Sequence, residues 1–353
     1  MKFVFFGGNS QVAVETAAHL QRMGHSVFLY GRGLYPQTTL QWLGLNYAQE
    51  PNAGAALTAA LLDVDLAIDF AFPAGEPWDA VPSATARVQR YLSHLPEHAR
   101  FAVMSSISAY GMGAKDARLR WHTWPLTAYA AGKRQLEANS LALGRQLSRK
   151  VVAFRLGQVH GVLQSASQAF RIQLAQPLAD IGGLAQGQSA SVFTDGVATA
   201  LAFYAAGHLP VGVHPLIDQP QWRLATLLDF YHQLDASEGT HTEEKSVRYF
   251  DPEPAGLVQQ IRGAAIGALK AHRGRIEPLL FRVPKLARFV KTRYRQIESS
   301  ASTHQASAAP MTCHYGDLSG VLPLFNTPNF EQTQANWHWF DSQWRQKILA
   351  ALR

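Results

Sequence analysis

Short apolar runs alternate with longer segments of helical periodicity over the first 155 residues. Residues 2–7 form an apolar run, residues 9–23 carry apolar side chains at helical spacing, and residues 26–30 form a second run. The same alternation predicts further helices at 54–62 and 81–95 and around Tyr129, and further strands at 66–71, 101–105 and 151–154. Strands that alternate with helices predict an α/β fold, in which a parallel sheet is covered on both faces.

The alternation weakens after about residue 160, where a stretch rich in Gln, Ala and Ser begins. Helices are predicted at 197–206 and 223–234, and polar loops at 236–245 and 298–309. Between them, residues 262–295 contain ten Lys and Arg against one acid, Glu277, in a chain whose net charge is +7. The rest of the chain is therefore about −2, so the basic character belongs to one segment and predicts no nucleic-acid surface.

Three interpretations of the basic segment 262–295 stay open. It is most simply the solvated face of an amphipathic helix. It could instead hold an anionic group of the substrate, such as a diphosphate or a phosphopantetheinyl carrier. It could also rest on an anionic membrane surface, because leucine and phenylalanine side chains lie among its arginines.

Composition predicts an ordered protein of the cytoplasm. Charged residues make up 16% and apolar residues 47%, as in globular domains. The single cysteine, Cys313, excludes an internal disulfide and suits a reducing compartment. The apolar start lacks the basic region of a signal peptide, and three aspartates interrupt the alanine-rich span 55–72. No metal site is predicted, because the chain has no cysteine pair and its histidines lack ligand spacing.

The first strand is followed by a glycine-containing turn and a helix. Its spacing is Gly7-x-x-Ser10-x-x-Ala13, with small residues where two glycines are usual in dinucleotide-binding turns. Glycine lets the backbone approach a pyrophosphate, whose charge the helix N-terminus stabilises. The second strand ends at Tyr30-Gly31-Arg32 without an acid. An arginine there accommodates a 2′-phosphate, so the sequence favours NADP over NAD, which remains an alternative.

Tyr129 and Lys133 are four residues apart within a predicted helix, so their side chains share one face. A neighbouring ammonium favours the phenolate, and we therefore expect the pKa of Tyr129 to lie below its usual value near ~10. Ser106 ends a predicted strand 23 residues earlier, at the edge of the sheet where open α/β proteins bind ligands. Together these residues suggest proton transfer next to a cofactor site.

The glycine turn, the Ser105-Ser106-x-x-x-Tyr110-Gly111 strand end and Tyr129-x-x-x-Lys133, in this order, resemble the short-chain dehydrogenase/reductase superfamily. The resemblance is to its extended branch of nucleotide-sugar epimerases, dehydratases and ketoreductases. Residues 154–161 are similar to the branch's Arg-Pro-Gly-x-x-Tyr-Gly segment, with Leu156 for proline and His160 for tyrosine. Residues 192–198 and 333–337 are similar to its later segments. The similarity covers about 1–235 well and 315–345 loosely, and it does not cover the basic segment.

The resemblance implies a doubly wound parallel Rossmann sheet with a smaller C-terminal α/β substrate-binding region. Residues 1–160 would form the dinucleotide-binding domain, to which parts of 190–235 return, and 161–353 would mainly bind substrate. A homodimer is a further expectation, because the helices around 81–95 and 129–144 form a four-helix interface in many relatives.

The resemblance also implies roles for individual residues. Tyr129 would be the general acid or base, Lys133 would hold the nicotinamide ribose, and Ser106 would hydrogen-bond the substrate oxygen. Ala71 and Phe72 would line the adenosine side, whereas His160 is interpreted as a packed side chain. The remaining cofactor-binding residues would be Gly7, Gly8, Asn9, Ser10, Gln11, Val12, Arg32, Leu156 and Val159.

The reaction expected from the sequence is an NADP(H)-dependent reduction of a carbonyl-type group on a small molecule. Dehydratases of the branch usually carry an Asp-Glu pair after the active-site hydroxyl residue, whereas Ser106 precedes Ile107-Ser108. Epimerases typically have an acid after the second strand, which is missing here. Nucleotide-sugar epimerisation with bound NAD is the alternative. The third hypothesis is a regulator that binds a dinucleotide without turnover. Such proteins commonly lose the tyrosine or the lysine, whereas this chain keeps both.

Overall fold

The computed structural model describes nine ranges of the chain, and the basic segment 262–295 lies outside them, as do the loop predicted at 298–309 and most of the loop predicted at 236–245. No helix within the described ranges is both long and apolar enough to cross a membrane. The described ranges are 1–32, 43–51, 54–72, 77–110, 128–175, 178–182, 186–237, 246–250 and 326–351.

The described residues form a parallel sheet of seven strands in the order β10-β6-β5-β4-β1-β2-β3. This order reverses at β1, whose neighbours β2 and β4 come from opposite halves of the sheet, so the ligand crevice of such folds is expected between β1 and β4. The doubly wound parallel Rossmann sheet predicted from the sequence is confirmed. The strands of this sheet are β1 Lys2–Phe6, β2 Ser26–Gly31, β3 Asn46–Gln49, β4 Leu66–Asp69, β5 Arg100–Ser106, β6 Lys150–Leu156 and β10 Gly212–Leu216.

Helices cover both faces of the sheet because the strands are apolar on both sides. Along β1, Phe3 and Phe5 point into one apolar cluster, and Val4 and Phe6 point into the other. The first cluster is closed by α1 and α6, and the second by α2, α3 and α4. These helices are α1 Gln11–Arg22, α2 Gly54–Leu61, α3 Pro77–His94, α4 Ala128–Gln146 and α6 Thr194–Ala205.

The strand β3 has no counterpart in the sequence prediction. Its four residues, Asn-Tyr-Ala-Gln, give no apolar run, and Tyr47 is the one of them that is buried. It forms because β2 offers a free edge, along which Phe28 to Gly31 pair with Asn46 to Gln49. Tertiary pairing has here overridden a weak local signal.

The second half of the chain combines a return to the sheet with a separate apolar layer. The strand β10 pairs with β6, and α6 packs on α1. A third apolar cluster, which includes Phe170, Phe193, Tyr231 and Trp337, joins α5, α7 and α8. The elements of this half are β7 Gln158–His160, α5 Ser165–Leu174, β8 Leu178–Gly182, β9 Ser191–Phe193, α7 Leu224–Ser237, β11 Ser246–Phe250 and α8 Phe330–Ala351.

A buried carboxylate joins α1 to the segment that enters α5. Glu15 accepts hydrogen bonds from the backbone of Val162 at 2.7 Å and Leu163 at 3.2 Å, and from Nε2 of Gln164 at 2.9 Å. Burial raises the pKa of Glu15 to about 7, although these hydrogen bonds act in the opposite direction. The helix that follows the glycine turn is thus tied to the second half of the chain by a group that titrates near neutrality.

Candidate functional site

The glycine turn between β1 and α1 lies against the end of β4. Gly7 has a φ of +69°, and a Cβ at this position would lie 2.7 Å from the backbone nitrogen of Ala71. Ser10 is the N-cap of α1, where its side chain accepts a hydrogen bond from the backbone of Ala13 at 3.3 Å. The first turn of α1 carries no acid, so this helix N-terminus fits a pyrophosphate chemically.

An ion pair fixes the backbone at the end of β4. Asp69 is buried and accepts hydrogen bonds from the backbone of Ala71 at 2.9 Å and from Arg87 at 2.9 and 3.2 Å. Arg87 also donates to the carbonyl of Ala71. Burial raises the pKa of Asp69, against the opposing effect of Arg87. The end of β4 is therefore held rigidly beside Gly7, at the crevice between β1 and β4.

Ser106 at the end of β5 is oriented by its neighbour Ser108. The hydroxyl oxygen of Ser106 accepts hydrogen bonds from the backbone nitrogen of Ser108 at 3.2 Å and from its hydroxyl at 3.0 Å. These contacts use the lone pairs of Ser106 and leave its proton to be donated elsewhere. The hydroxyl of Ser106 also lies close enough to Tyr129 to act on its phenol, whose pKa it lowers. The structure thus brings together two of the predicted catalytic hydroxyls.

The pKa of Tyr129 is shifted in the direction opposite to the sequence expectation. Burial raises this pKa, and the hydroxyl of Ser106 only partly offsets the rise. The ammonium nitrogen of Lys133 lies 5.6 Å from the centre of the Tyr129 ring. The expected lowering by Lys133 is wrong for this structure, because burial dominates the shift and the group that lowers the pKa is Ser106.

Lys133 is buried in the wall of the site and is held by the strand below it. Its ammonium donates to the carbonyl oxygen of Met104 at 2.7 Å and lies 4.3 Å from the centre of the Phe72 ring. The same ring meets Tyr129 edge-on at 5.8 Å. Burial lowers the pKa of Lys133 to about 8, while Asp69 and Glu137 act to raise it. The side chain of Phe72, which the resemblance assigned to the adenosine side, thus lies against the candidate catalytic pair.

A buried ion pair supports the end of β5 from below. Glu137, one helical turn after Lys133, accepts from Arg155 of β6 at 2.9 and 2.6 Å and also from the hydroxyl of Ser105. Arg155 is fully buried and its guanidinium lies 4.2 Å from the centre of the Tyr110 ring. These contacts lock the helix that carries Tyr129 to the strand that carries Ser106.

The edge formed by β2 and β3 carries charges of both signs. Arg32 is exposed directly after β2. Glu50 follows β3, and its backbone donates to the carbonyl of Gly31 at 2.8 Å. Its carboxylate accepts hydrogen bonds from Arg90 and, at 2.6 Å, from Tyr91. Arg32 and Glu50 therefore lie at neighbouring strand ends, whereas the prediction from the sequence considered only the arginine.

Leu156, Val159 and His160 lie along the next strand ends. Leu156 and Val159 are half-buried and pack against the first apolar cluster. His160 is fully buried, and its Nδ1 lies 2.6 Å from the hydroxyl of Tyr231. Burial lowers the pKa of His160 to about 3, so the ring is neutral and serves packing. Among the described residues, no cluster of three or more acidic, histidine or cysteine side chains could hold a metal ion.

The sequence reading missed Arg87, Glu137 and Glu50. A usable signal existed for Glu137, since Tyr129, Lys133 and Glu137 repeat at four-residue spacing and so share one helical face. Glu50 and Arg87 gave no such signal, because their partners are distant in the chain and their placement depends on β3 and on the end of β4.

The fold of this chain is similar to that of solved structures of other proteins. The UDP-glucuronic acid 4-epimerase from Bacillus cereus, solved with UDP-glucuronic acid and NAD, aligns over 97% of this chain and 99% of its own, with a TM-score of 0.55 and 15% identity. The chain has the fold of the extended short-chain dehydrogenase/reductase enzymes. The dTDP-glucose 4,6-dehydratase from Bacillus anthracis, solved with NAD, aligns over 72% of this chain and 85% of its own, with a TM-score of 0.50 and 12% identity.

No protein-family model matches the sequence, and no curated protein matches it. At 12% and 15% identity, the similarity to the two solved structures concerns the fold alone.

Proposed function

We propose that the chain is an NAD(P)-dependent enzyme that reduces a carbonyl-type group of a small molecule, with Tyr129 as the proton donor. The observation that carries this proposal is the grouping of Ser106, Tyr129 and Lys133 beside the end of β4, which contacts the glycine turn. These residues lie at or beside the carboxyl ends of β1, β4 and β5. Open α/β sheets bind their ligands at these strand ends.

The described residues support the following mechanism. A reduced nicotinamide dinucleotide, when bound, supplies a hydride. Ser106 donates its hydroxyl proton in a hydrogen bond to the substrate oxygen and stabilises the charge that develops there. Tyr129 transfers its phenol proton to the same oxygen, and its raised pKa keeps it protonated before that step. Lys133, once its ammonium faces the developing phenolate, stabilises that charge.

The cofactor is proposed to be NADP, with NAD as the alternative. Arg32 after β2 suits a 2′-phosphate, whereas Glu50 at the neighbouring strand end is an acid of the kind that binds a free ribose hydroxyl. Glu50 is already engaged by Arg90 and Tyr91 through its Oε1, and we therefore take Arg32 as the group that discriminates between the two dinucleotides.

Calorimetric titration with NADPH, NADP, NADH and NAD tests the cofactor. Arg32→Ala should weaken NADPH binding by at least about tenfold and NADH binding by less than about twofold, since loss of a charge-assisted contact costs about 1.5–3 kcal/mol. Arg345→Ala, an exposed arginine on α8, is the control and should change neither affinity. Equal effects of Arg32→Ala on both dinucleotides would refute the NADP assignment.

Nucleotide-sugar epimerisation is the second candidate, because the same Tyr129 could remove and return a proton if the dinucleotide stays bound. The alignment with the Bacillus cereus epimerase over nearly its whole length favours including it in the test. Incubation with UDP-glucuronic acid, followed by NMR of the sugar, would reveal inversion at C4 without net change in the dinucleotide. Net oxidation of NADPH by a panel of ketones, aldehydes and imines would support reduction instead. Failure of every dinucleotide to support turnover would leave the non-catalytic regulator.

A further inference from the structure

The ring of Phe72 lies between the glycine turn and the candidate catalytic pair. Phe72 follows Ala71 directly, and the backbone of Ala71 is the closest neighbour of Gly7 at 2.7 Å from its ideal Cβ. From this point the side chain reaches the ammonium of Lys133, 4.3 Å from the ring centre, and the edge of Tyr129. One residue thus connects the strand end that contacts the glycine turn with the two side chains of the candidate catalytic pair.

The ring projects from a rigid backbone. Both backbone polar groups of Ala71 are hydrogen-bonded. Its nitrogen donates to Asp69, and its carbonyl oxygen accepts from Arg87. Asp69 is itself paired with Arg87. Because the backbone is fixed, clearing the crevice requires a rotation of the Phe72 side chain and not a movement of the strand end.

The contact of Lys133 with the ring and a contact with ribose hydroxyls are alternatives. An ammonium has three donors, one of which is used on Met104 at 2.7 Å. The face of the ring covers a second direction, and burial leaves Lys133 only 5% exposed. A cation near an aromatic face in a desolvated site is stabilised by that ring. The third donor remains, but because so little of Lys133 is exposed, a ribose hydroxyl competes with the ring for access to the ammonium.

We propose that Phe72 caps Lys133 and competes with the dinucleotide for its ammonium, so that this ring sets the affinity and the rate of cofactor entry. The proposal rests on the proposed function, because it takes the ribose of a nicotinamide dinucleotide as the competing ligand. It assigns to Phe72 a positioning role at the catalytic end of the crevice.

Two measurements on the full-length protein test this role. Acetylation by an N-hydroxysuccinimide ester, followed by peptide mass spectrometry, reports how accessible Lys133 is without any dinucleotide. Phe72→Ala should raise the labelling rate of Lys133 by about tenfold, whereas Phe72→Leu, which keeps an apolar side chain over the ammonium, should stay within about twofold of the unmodified chain. The exposed Lys150 serves as the internal reference and should label equally in all three proteins.

The second measurement is NADPH and NADH affinity by calorimetry, with association rates from stopped-flow fluorescence. Phe72→Ala should bind the preferred dinucleotide about tenfold more tightly and associate faster, because the competing contact is gone. An unchanged labelling rate in Phe72→Ala would overturn the cap. Faster labelling with unchanged or weaker dinucleotide binding would overturn the competition alone. Absence of binding by all three proteins would overturn the proposed function and the competition with it, and the labelling rates would still decide whether Phe72 covers Lys133.

Discussion

Replacing Glu15 by Gln should remove one contribution to stability that is lost as the pH rises through 7. Glu15 is buried between α1 and the segment 161–164, and burial raises its pKa from 4.5 to about 7. Because the folded state holds the proton at higher pH than the unfolded chain does, the contribution is complete below about pH 4.5 and is lost as pH rises through 7. A shift of about 2.5 pKa units corresponds to roughly 3 kcal/mol.

Urea denaturation at several pH values between about 4.5 and 8 measures this contribution. The free energy of unfolding of the unmodified chain, minus that of Glu15→Gln, should fall by roughly 3 kcal/mol over this range. Glu97→Gln, in an exposed loop, is the control for a surface carboxylate and should change the free energy of unfolding by less than about 0.5 kcal/mol. A constant difference for Glu15→Gln would show that Glu15 ionises normally in the folded protein, and the account of its burial would be wrong.

Two further substitutions test the framework of the site. Gly7→Ala should cost at least about 2 kcal/mol of stability and weaken dinucleotide binding, because it combines a left-handed φ with a 2.7 Å contact to Ala71. Gly24→Ala is the control, because Gly24 has a φ of +83° but no neighbouring atom near its ideal Cβ, and it should cost only about 1 kcal/mol. If urea denaturation gave the same loss of stability for both variants, the close approach of Gly7 to Ala71 would be refuted. Glu137→Gln should destabilise the chain by about 3 kcal/mol and lower kcat, since it leaves a charge on Arg155 inside the protein. Asp341→Asn, in a surface pair on α8, should cost less than about 1 kcal/mol, and a similarly small loss for Glu137→Gln would contradict the supporting role.

The sheet could be predicted from the sequence because its strands bury both faces. Runs such as Phe3 to Phe6 are apolar throughout, and glycines and polar residues separate them from the helices. The strand β3 could not be predicted in this way, since Tyr47 is its one buried side chain and its pairing with β2 supplies the rest of its stability.

The site was predictable as far as residues adjacent in the chain define it. The spacing of Tyr129 and Lys133 predicts that both lie on one face of a helix, and the structure places both side chains in one helix near Ser106. The direction of the pKa shift of Tyr129 was not predictable, because it depends on how far the folded protein buries the phenol. The position of the Phe72 ring likewise depends on how Asp69 and Arg87 hold the end of β4.

The most direct test of the account is the effect of Tyr129→Phe on turnover and on cofactor binding. The substitution removes only the phenol oxygen, so the account predicts that kcat falls by about a hundredfold or more while the affinity for the preferred dinucleotide changes by less than about threefold. Turnover would be followed with the substrate found in the screen, and affinity by calorimetry. A Tyr129→Phe enzyme that keeps its kcat would contradict the assignment of Tyr129 as the proton donor.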